Sequence, residues 1–241
     1  MPAWFLQNQS SDATDRLNCE HAAIVCNPKA GLRCSARDLF ASADYVIVFP
    51  RAIAFILKIL VAITGATGAL YAQRLLDNLN PQEHEIHVVL SNYAQQVIAV
   101  ELPDGLRLPP GVPVHNLKSM NAPFASGSNP PDVMVVIPCT MGTMGRIAHG
   151  YSEDVLLRAA DVTLKEKKKL ILVPRETPFS LIHIKNMELL ILAGAVIMPA
   201  NPSFYSGADS VVQIVDTVVA RVLDHIGVPN QLAPRWAEEK E

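Results

Sequence analysis

The chain has 241 residues, half of them apolar, with a formal net charge of −3, so it can bury a sizeable α/β core and lacks the basic footprint of a nucleic-acid binder. Residues 53–63 are apolar but too short for a membrane span and broken by Lys58, and the first residues lack the basic-then-apolar order of a signal peptide, which leads us to expect a cytoplasmic protein. The four cysteines (Cys19, Cys26, Cys34 and Cys139) have neither zinc-ligand spacing nor the density of a disulfide framework.

Residues 1–56 differ from the rest. Residues 8–18 are polar, Asn27-Pro28-Lys29-Ala30-Gly31 signals a turn, and 45–49 could be a strand with no evident partner. We expect an N-terminal extension over 1–56, dispensable for folding, and a domain over 57–241. From residue 58 the chain reads KILVAITGATGALYAQRLLDNL. Residues 59–63 predict a short buried strand, 64–68 a tight turn, and 69–79 a helix with Leu70, Leu75, Leu76 and Leu79 on one side. A strand, a Gly-rich turn and a helix together present backbone N–H groups at a helix N-terminus, where they and the helix dipole favour an anion, usually a phosphate.

Strands are predicted at 86–90, 133–137, 170–173 and 195–198, and helices at 93–101, 153–165, 181–192 and 210–226. Residues 102–113, with four prolines and two glycines, and 121–131, rich in Ser, Pro and Asn, are expected to be loops. Strands alternating with helices imply βαβ units and a parallel sheet. Ligands of such sheets bind beyond the carboxyl ends of the strands, so Thr67, Ser91, Thr140, Arg175, Glu176 and Tyr205, which follow strands, should gather on one rim.

A dinucleotide fingerprint would need a third glycine in the first turn and an acidic residue closing the second strand. Here Leu70, Tyr71 or Ala72 occupies the glycine position, and the second strand ends at Ser91-Asn92. This favours a mononucleotide such as FMN over a nicotinamide cofactor.

The segments ITGATGALYAQRLL, Pro138-Cys139-Thr140, RAADVTLKE (158–166), PRETP (174–178), GAVIMPANPSFY (194–205) and the late Arg221-Val-Leu-Asp resemble, in order and spacing, those of the flavin prenyltransferase family. The resemblance covers about residues 58–236. It implies a flavodoxin-like α/β fold with three layers, and a homo-oligomer, expected to be a dodecamer, with sites at subunit interfaces. It also implies transfer of a dimethylallyl group from dimethylallyl phosphate to N5 of reduced FMN, followed by ring closure at C6. No metal is expected. The product, prenylated FMN, would serve a partner decarboxylase of the ubiquinone-pathway or phenolic-acid type.

By the same resemblance, Gly65, Ala66 and Thr67 match the FMN-binding turn, Ser91 a flavin-binding serine, and Thr140, Met141, Gly142 and Thr143 the flavin-contacting loop after the third strand. Arg175 matches a flavin-contacting arginine. Lys165, Tyr205 and Arg221 match phosphate-binding residues, with Arg158 beside them. Glu176 matches the proton-transfer residue, Glu101 a second active-site carboxylate, and Trp236 an aromatic lying against the prenyl group. The chain departs from many members at Thr67, where they have Ser, and at Gly142, where they have Lys.

Read singly, these residues have ordinary roles. Lys165 opens the solvated run KEKKK, Arg158 and Arg221 have aspartates within a helical turn, and Cys139, His149 and His183 suit structural positions. Two other activities compete. An FMN-dependent cysteine decarboxylase of the same superfamily would carry a catalytic His after the first βα unit and a Pro-x-Met-Asn segment, whereas this chain has Pro199-Ala200-Asn201-Pro202. A non-catalytic FMN carrier would not need Glu176, Lys165, Tyr205 and Arg221.

Overall fold

A computed structural model describes residues 56–237 together with two short strands nearer the N-terminus. The chain divides into two compact units, Met1–Ala54 and Phe55–Glu241. In the first, β1 (Ile24–Cys26) pairs antiparallel with β2 (Val46–Val48), Val25 facing Ile47. The strand expected at 45–49 therefore has a partner that the sequence did not reveal. The polar stretch 8–18 and the turn at 27–31 lie outside the described residues.

The second unit is built on six parallel strands: β3 (Lys58–Ile63), β4 (Glu85–Leu90), β5 (Val114–His115), β6 (Val133–Cys139), β7 (Lys169–Pro174) and β8 (Val196–Ile197), in the order β5-β4-β3-β6-β7-β8. Apart from β5, added at one edge, this is the flavodoxin-like order, with its switch point between β3 and β6. Helices α1 (Ala69–Asp77), α2 (Asn92–Glu101) and α6 (Val211–Ile226) cover one face; α3 (Met141–Ala148), α4 (Val155–Lys165) and α5 (Leu181–Leu192) cover the other.

Strand side chains alternate between the two cores, as a period of two requires. Ile59, Val61 and Ile63 enter the α1/α6 core, and Leu60 and Ala62 enter the α3/α4 core beside buried Phe124. Each fully buried Leu or Ile of this kind stabilises by about 1.5–3 kcal/mol.

In the second unit, β5 and α3 were not anticipated. β5 has two residues following a Pro-rich loop, below the length at which periodicity speaks. α3 reads MGTMGRIA, whose glycines lower helix propensity. Tertiary packing overrides that: a Cβ on Gly145 would come 3.1 Å from Asn186 Nδ2, so the glycine lets α3 lie close on α5.

Candidate active site

The loops after the strands are stitched together in sheet order. Ser91 N donates to Ile63 O at 2.9 Å, carrying the end of β4 to the end of β3. The buried Thr64 hydroxyl donates to Pro138 O at 2.7 Å and accepts from Thr140 N at 2.8 Å, joining β3 to β6. Arg175 N donates to Cys139 O at 3.4 Å and Ala200 N to Pro174 O at 2.9 Å, extending the chain of bonds across β7 to β8. Gly65–Thr67, Ser91, Thr140–Thr143 and Arg175–Glu176 therefore lie along one continuous rim; Tyr205, expected with them, instead lines a different cavity.

Their local roles differ from the expectation in several respects. The first N–H groups of α1 do not await a phosphate. Glu101 Oε2, at the end of α2, accepts from Gly68 N at 2.8 Å and Ala69 N at 2.7 Å. Thr140 to Thr143 form no loop: Thr140 caps α3, its Oγ1 accepting from Thr143 N at 3.1 Å, and the other three open the helix. Met141 and Thr143 point into the protein, which leaves Thr140 and the backbone of exposed Gly142 facing outward. Ser91 caps α2, accepting from Ala94 N at 3.1 Å, and its O–H remains available to donate.

The rim suits an anionic, hydrogen-bonding ligand. Helices α2 and α3 begin there, each with a hydroxyl cap, whereas the start of α1 is already engaged by Glu101. The Thr67 hydroxyl is exposed and makes no hydrogen bond among the described residues. Arg175 is likewise exposed, without an ion pair among them. Its charge reaches half-buried Tyr71: burial pushes the Tyr71 phenol up, and Arg175 acts in the opposite direction. Beside it, exposed Glu176 accepts from Thr177 N at 3.0 Å. A cavity of about 170 Å³ is lined by Arg175, Glu176, Phe179, Pro199 and Asn201.

Tyr205, Arg221 and Trp236 lie elsewhere. They line a second cavity of about 430 Å³, with Asp224 and Arg235. Pro199 and Asn201 border both cavities, so the segment between them separates Tyr205 from the Arg175–Glu176 pocket. The Tyr205 and Trp236 rings meet edge-to-face, centroids 5.3 Å apart.

Arg158 and Lys165 form a third group on α4. Arg158 Nη1 donates to Asp161 Oδ2 at 2.8 Å and its Nε to Ala125 O at 3.0 Å. Lys165 ends α4, pairs with Glu166, and precedes the turn into β7. It therefore stands at the amino ends of the strands, opposite the rim. The expected grouping of Lys165 and Arg158 with Tyr205 and Arg221 does not occur within one chain.

The remaining candidates are structural. Cys139 is fully buried and its thiol is pushed up to about 12 by that burial, so it is no nucleophile. His183 Nδ1 accepts from Ser180 N at 3.2 Å in a capping box on α5. His149 Nδ1 bonds Gly145 O at 2.8 Å. His84 precedes β4, and His87 is buried within it against His115 and Phe124, so neither serves the rim. Sequence reasoning missed Tyr71 and Arg235 as site neighbours, whereas the aspartate expected beside Arg221 is Asp224, paired with it at 3.3 Å.

The sequence profile of the flavoprotein family matches residues 55–223. The chain belongs to the flavoprotein family. Within it, the chain is 43% identical over 198 residues to Flavin prenyltransferase UbiX of Pseudomonas aeruginosa, covering 76% of this chain and 95% of that protein. Among solved structures, AnUbiX (PadA1), described as a complex with FMN and dimethylallyl pyrophosphate, is 40% identical with a TM-score of 0.71, covering 77% of this chain and 100% of that one. A dodecameric FMN-dependent Ubix-like decarboxylase from Escherichia coli O157:H7 is 41% identical with a TM-score of 0.71, covering 76% and 100%. This flavoprotein is therefore similar, over nearly the whole of its second unit, to flavin prenyltransferases.

Proposed function

We propose that this flavoprotein transfers the dimethylallyl group of dimethylallyl phosphate to reduced FMN, making prenylated FMN. The observation that carries this reading is the Arg175–Glu176 pair, exposed beyond β7 on a rim of hydroxyls and helix N-termini, in a chain 43% identical to a flavin prenyltransferase. Thr67, Ser91, Thr140, the Gly142 backbone and Arg175 would hold the flavin, which supplies electron-rich N5 and C6 as prenyl acceptors.

The residues of this chain would handle the leaving phosphate. Breaking the allylic C–O bond sends an electron pair to the phosphate, and cations aimed at that oxygen stabilise the developing charge. Arg221, Lys165, Arg158 and the Tyr205 hydroxyl are suited to that task. Glu176 would give a proton to the departing phosphate and recover one as the ring closes. Trp236 offers a π-face to allyl cation character.

These groups occupy three separate regions of one chain, so a complete site would combine residues from several copies in a homo-oligomer, for which the dodecameric relative is a precedent. Glu101 would act through the turn it holds, by fixing Gly68 and Ala69. We further propose a prenyl-FMN-dependent decarboxylase as recipient of the product and the cytoplasm as location. Among the described residues no helix is long and apolar enough to cross a membrane.

The test is anaerobic incubation with reduced FMN and dimethylallyl phosphate, then mass spectrometry of the extracted flavin. A gain of one five-carbon unit is expected with the wild type and its loss with Glu176→Gln. The diphosphate donor, run in parallel, tests the leaving group. Flavin that binds but stays unmodified with both donors would overturn the assignment.

A further inference from the structure

We propose that Asp224 is a positioning residue, a latch that holds segment 230–236 over the Tyr205–Arg221 cavity and thereby sets the geometry in which a prenyl phosphate is bound. This rests on reading that cavity as the prenyl-phosphate site.

Asp224 ties the segment to α6 near both of its ends. Arg235 reaches it as a fork, Nη2 donating to Oδ1 at 2.8 Å and Nη1 to Oδ2 at 3.2 Å. Asn230 Nδ2 donates to the same Oδ1 at 3.1 Å and to Ala220 O at 3.3 Å. Both ends of the segment are thus gathered onto one carboxylate. Trp236 follows Arg235 directly and meets the Tyr205 ring, so the latch fixes the aromatic wall as well. Between those ends, Ala233 and Pro234 border both this cavity and a neighbouring one of about 380 Å³. At Ala233 and Pro234 the segment is a thin partition with space on either side; Leu232 packs on the core beside α6, and the bonds to Asp224 hold the stretch that follows.

The charges leave room for an anion. The cavity is lined by two arginines and one carboxylate, a net charge of +1. Asp224 serves the two arginines unequally. The fork with Arg235 uses both oxygens, a geometry that adds direction as well as energy. Arg221 makes one contact at 3.3 Å, and its side chain is 63% exposed, so it can turn to a phosphate without undoing the latch.

The proposal separates two roles for one residue. A latch, once cut, lets Trp236 and Tyr205 drift and weakens donor binding. A mere competitor for Arg221, once removed, would strengthen it. The 241-residue chain carries two tryptophans, Trp4 and Trp236, so Trp4→Phe leaves Trp236 as the sole reporter. Trp236 is already 78% exposed, so its mobility is the readout: in that background Asp224→Asn is expected to lower the fluorescence anisotropy of Trp236 and to raise KM for dimethylallyl phosphate about tenfold, the scale of a lost charged hydrogen bond. KM for reduced FMN should not move, and Asp224→Glu should restore part of both changes.

Anisotropy at the wild-type level, or a KM that falls, overturns the latch. Arg221→Ala in parallel tells the two failures apart. If it raises KM while Asp224→Asn does not, the latch alone is wrong. If neither variant changes KM, the cavity is not the prenyl-phosphate site, and the positioning role fails with that reading.

Discussion

A methyl group added at Gly65 would lie 2.3 Å from Tyr93 Cβ, well inside any real contact. Gly65 therefore allows the turn after β3 to pass against the first turn of α2, and Gly65→Ala should destabilise by about 1–3 kcal/mol, the usual cost of overpacking, in a chemical denaturation series. Gly142 is the opposite case. Nothing lies within 4 Å of a Cβ built there, and it stands in the first turn of α3. Gly142→Lys should fold normally and gain up to about 1 kcal/mol from helix propensity, measured in the same way. The rim positions themselves were legible in the sequence, because each directly follows a strand. Which atoms are already engaged was not legible: the bonds from Gly68 and Ala69 to Glu101 join residues more than thirty positions apart, and no spacing rule predicts them.

At the scale of elements, the amino ends of three strands meet on one side chain. Lys58 N donates to Asp132 Oδ2 at 3.0 Å, Lys168 Nζ donates to Oδ1 at 2.8 Å, and Asp132 N returns a bond to Lys58 O at 2.9 Å. Burial pushes the Asp132 carboxyl up, but the Lys168 and Lys58 hydrogen bonds and charges outweigh it and hold the group below its ordinary value of 3.8. A carboxylate depressed by folding stabilises fully above its unfolded pKa and loses that contribution as pH falls through the folded one. Stability should therefore drop below about pH 3.8, and Asp132→Asn should flatten that part of a Tm-against-pH curve. An unaltered curve would mean the staple contributes nothing. The strongly periodic strands and helices were readable from the sequence to within a residue or two. α3 and β5 were not, since one depends on Gly145 packing against Asn186 and the other on a neighbouring strand.

At the scale of the molecule, α5 is apolar on nearly every side, yet Leu181 and Leu192 are 73% and 78% exposed, and Ile182, Leu189 and Ile191 are exposed with them. A helix of this kind is ordinarily buried. Copies of the chain packing on this face would bury it. Introducing Asp at Ile182 and Leu192 together should shift the species seen by light scattering to a lower mass while far-UV circular dichroism is retained; an unchanged mass would exclude the face as an interface. Residues 1–54 belong to a different unit from the rim. A chain starting at Leu57 should keep its fold and its prenyl-transfer activity, and loss of either would assign the segment a role.

Such a truncated chain would have Cys139 as its sole cysteine. That thiol sits at 0% exposure at the end of the central strand β6, and its raised pKa denies it a thiolate at neutral pH. Colourless to a thiol reagent while the sheet is closed, it would colour only in molecules whose centre has opened. The residue that takes no part in the chemistry would thus serve as a clock for how often the whole structure comes apart.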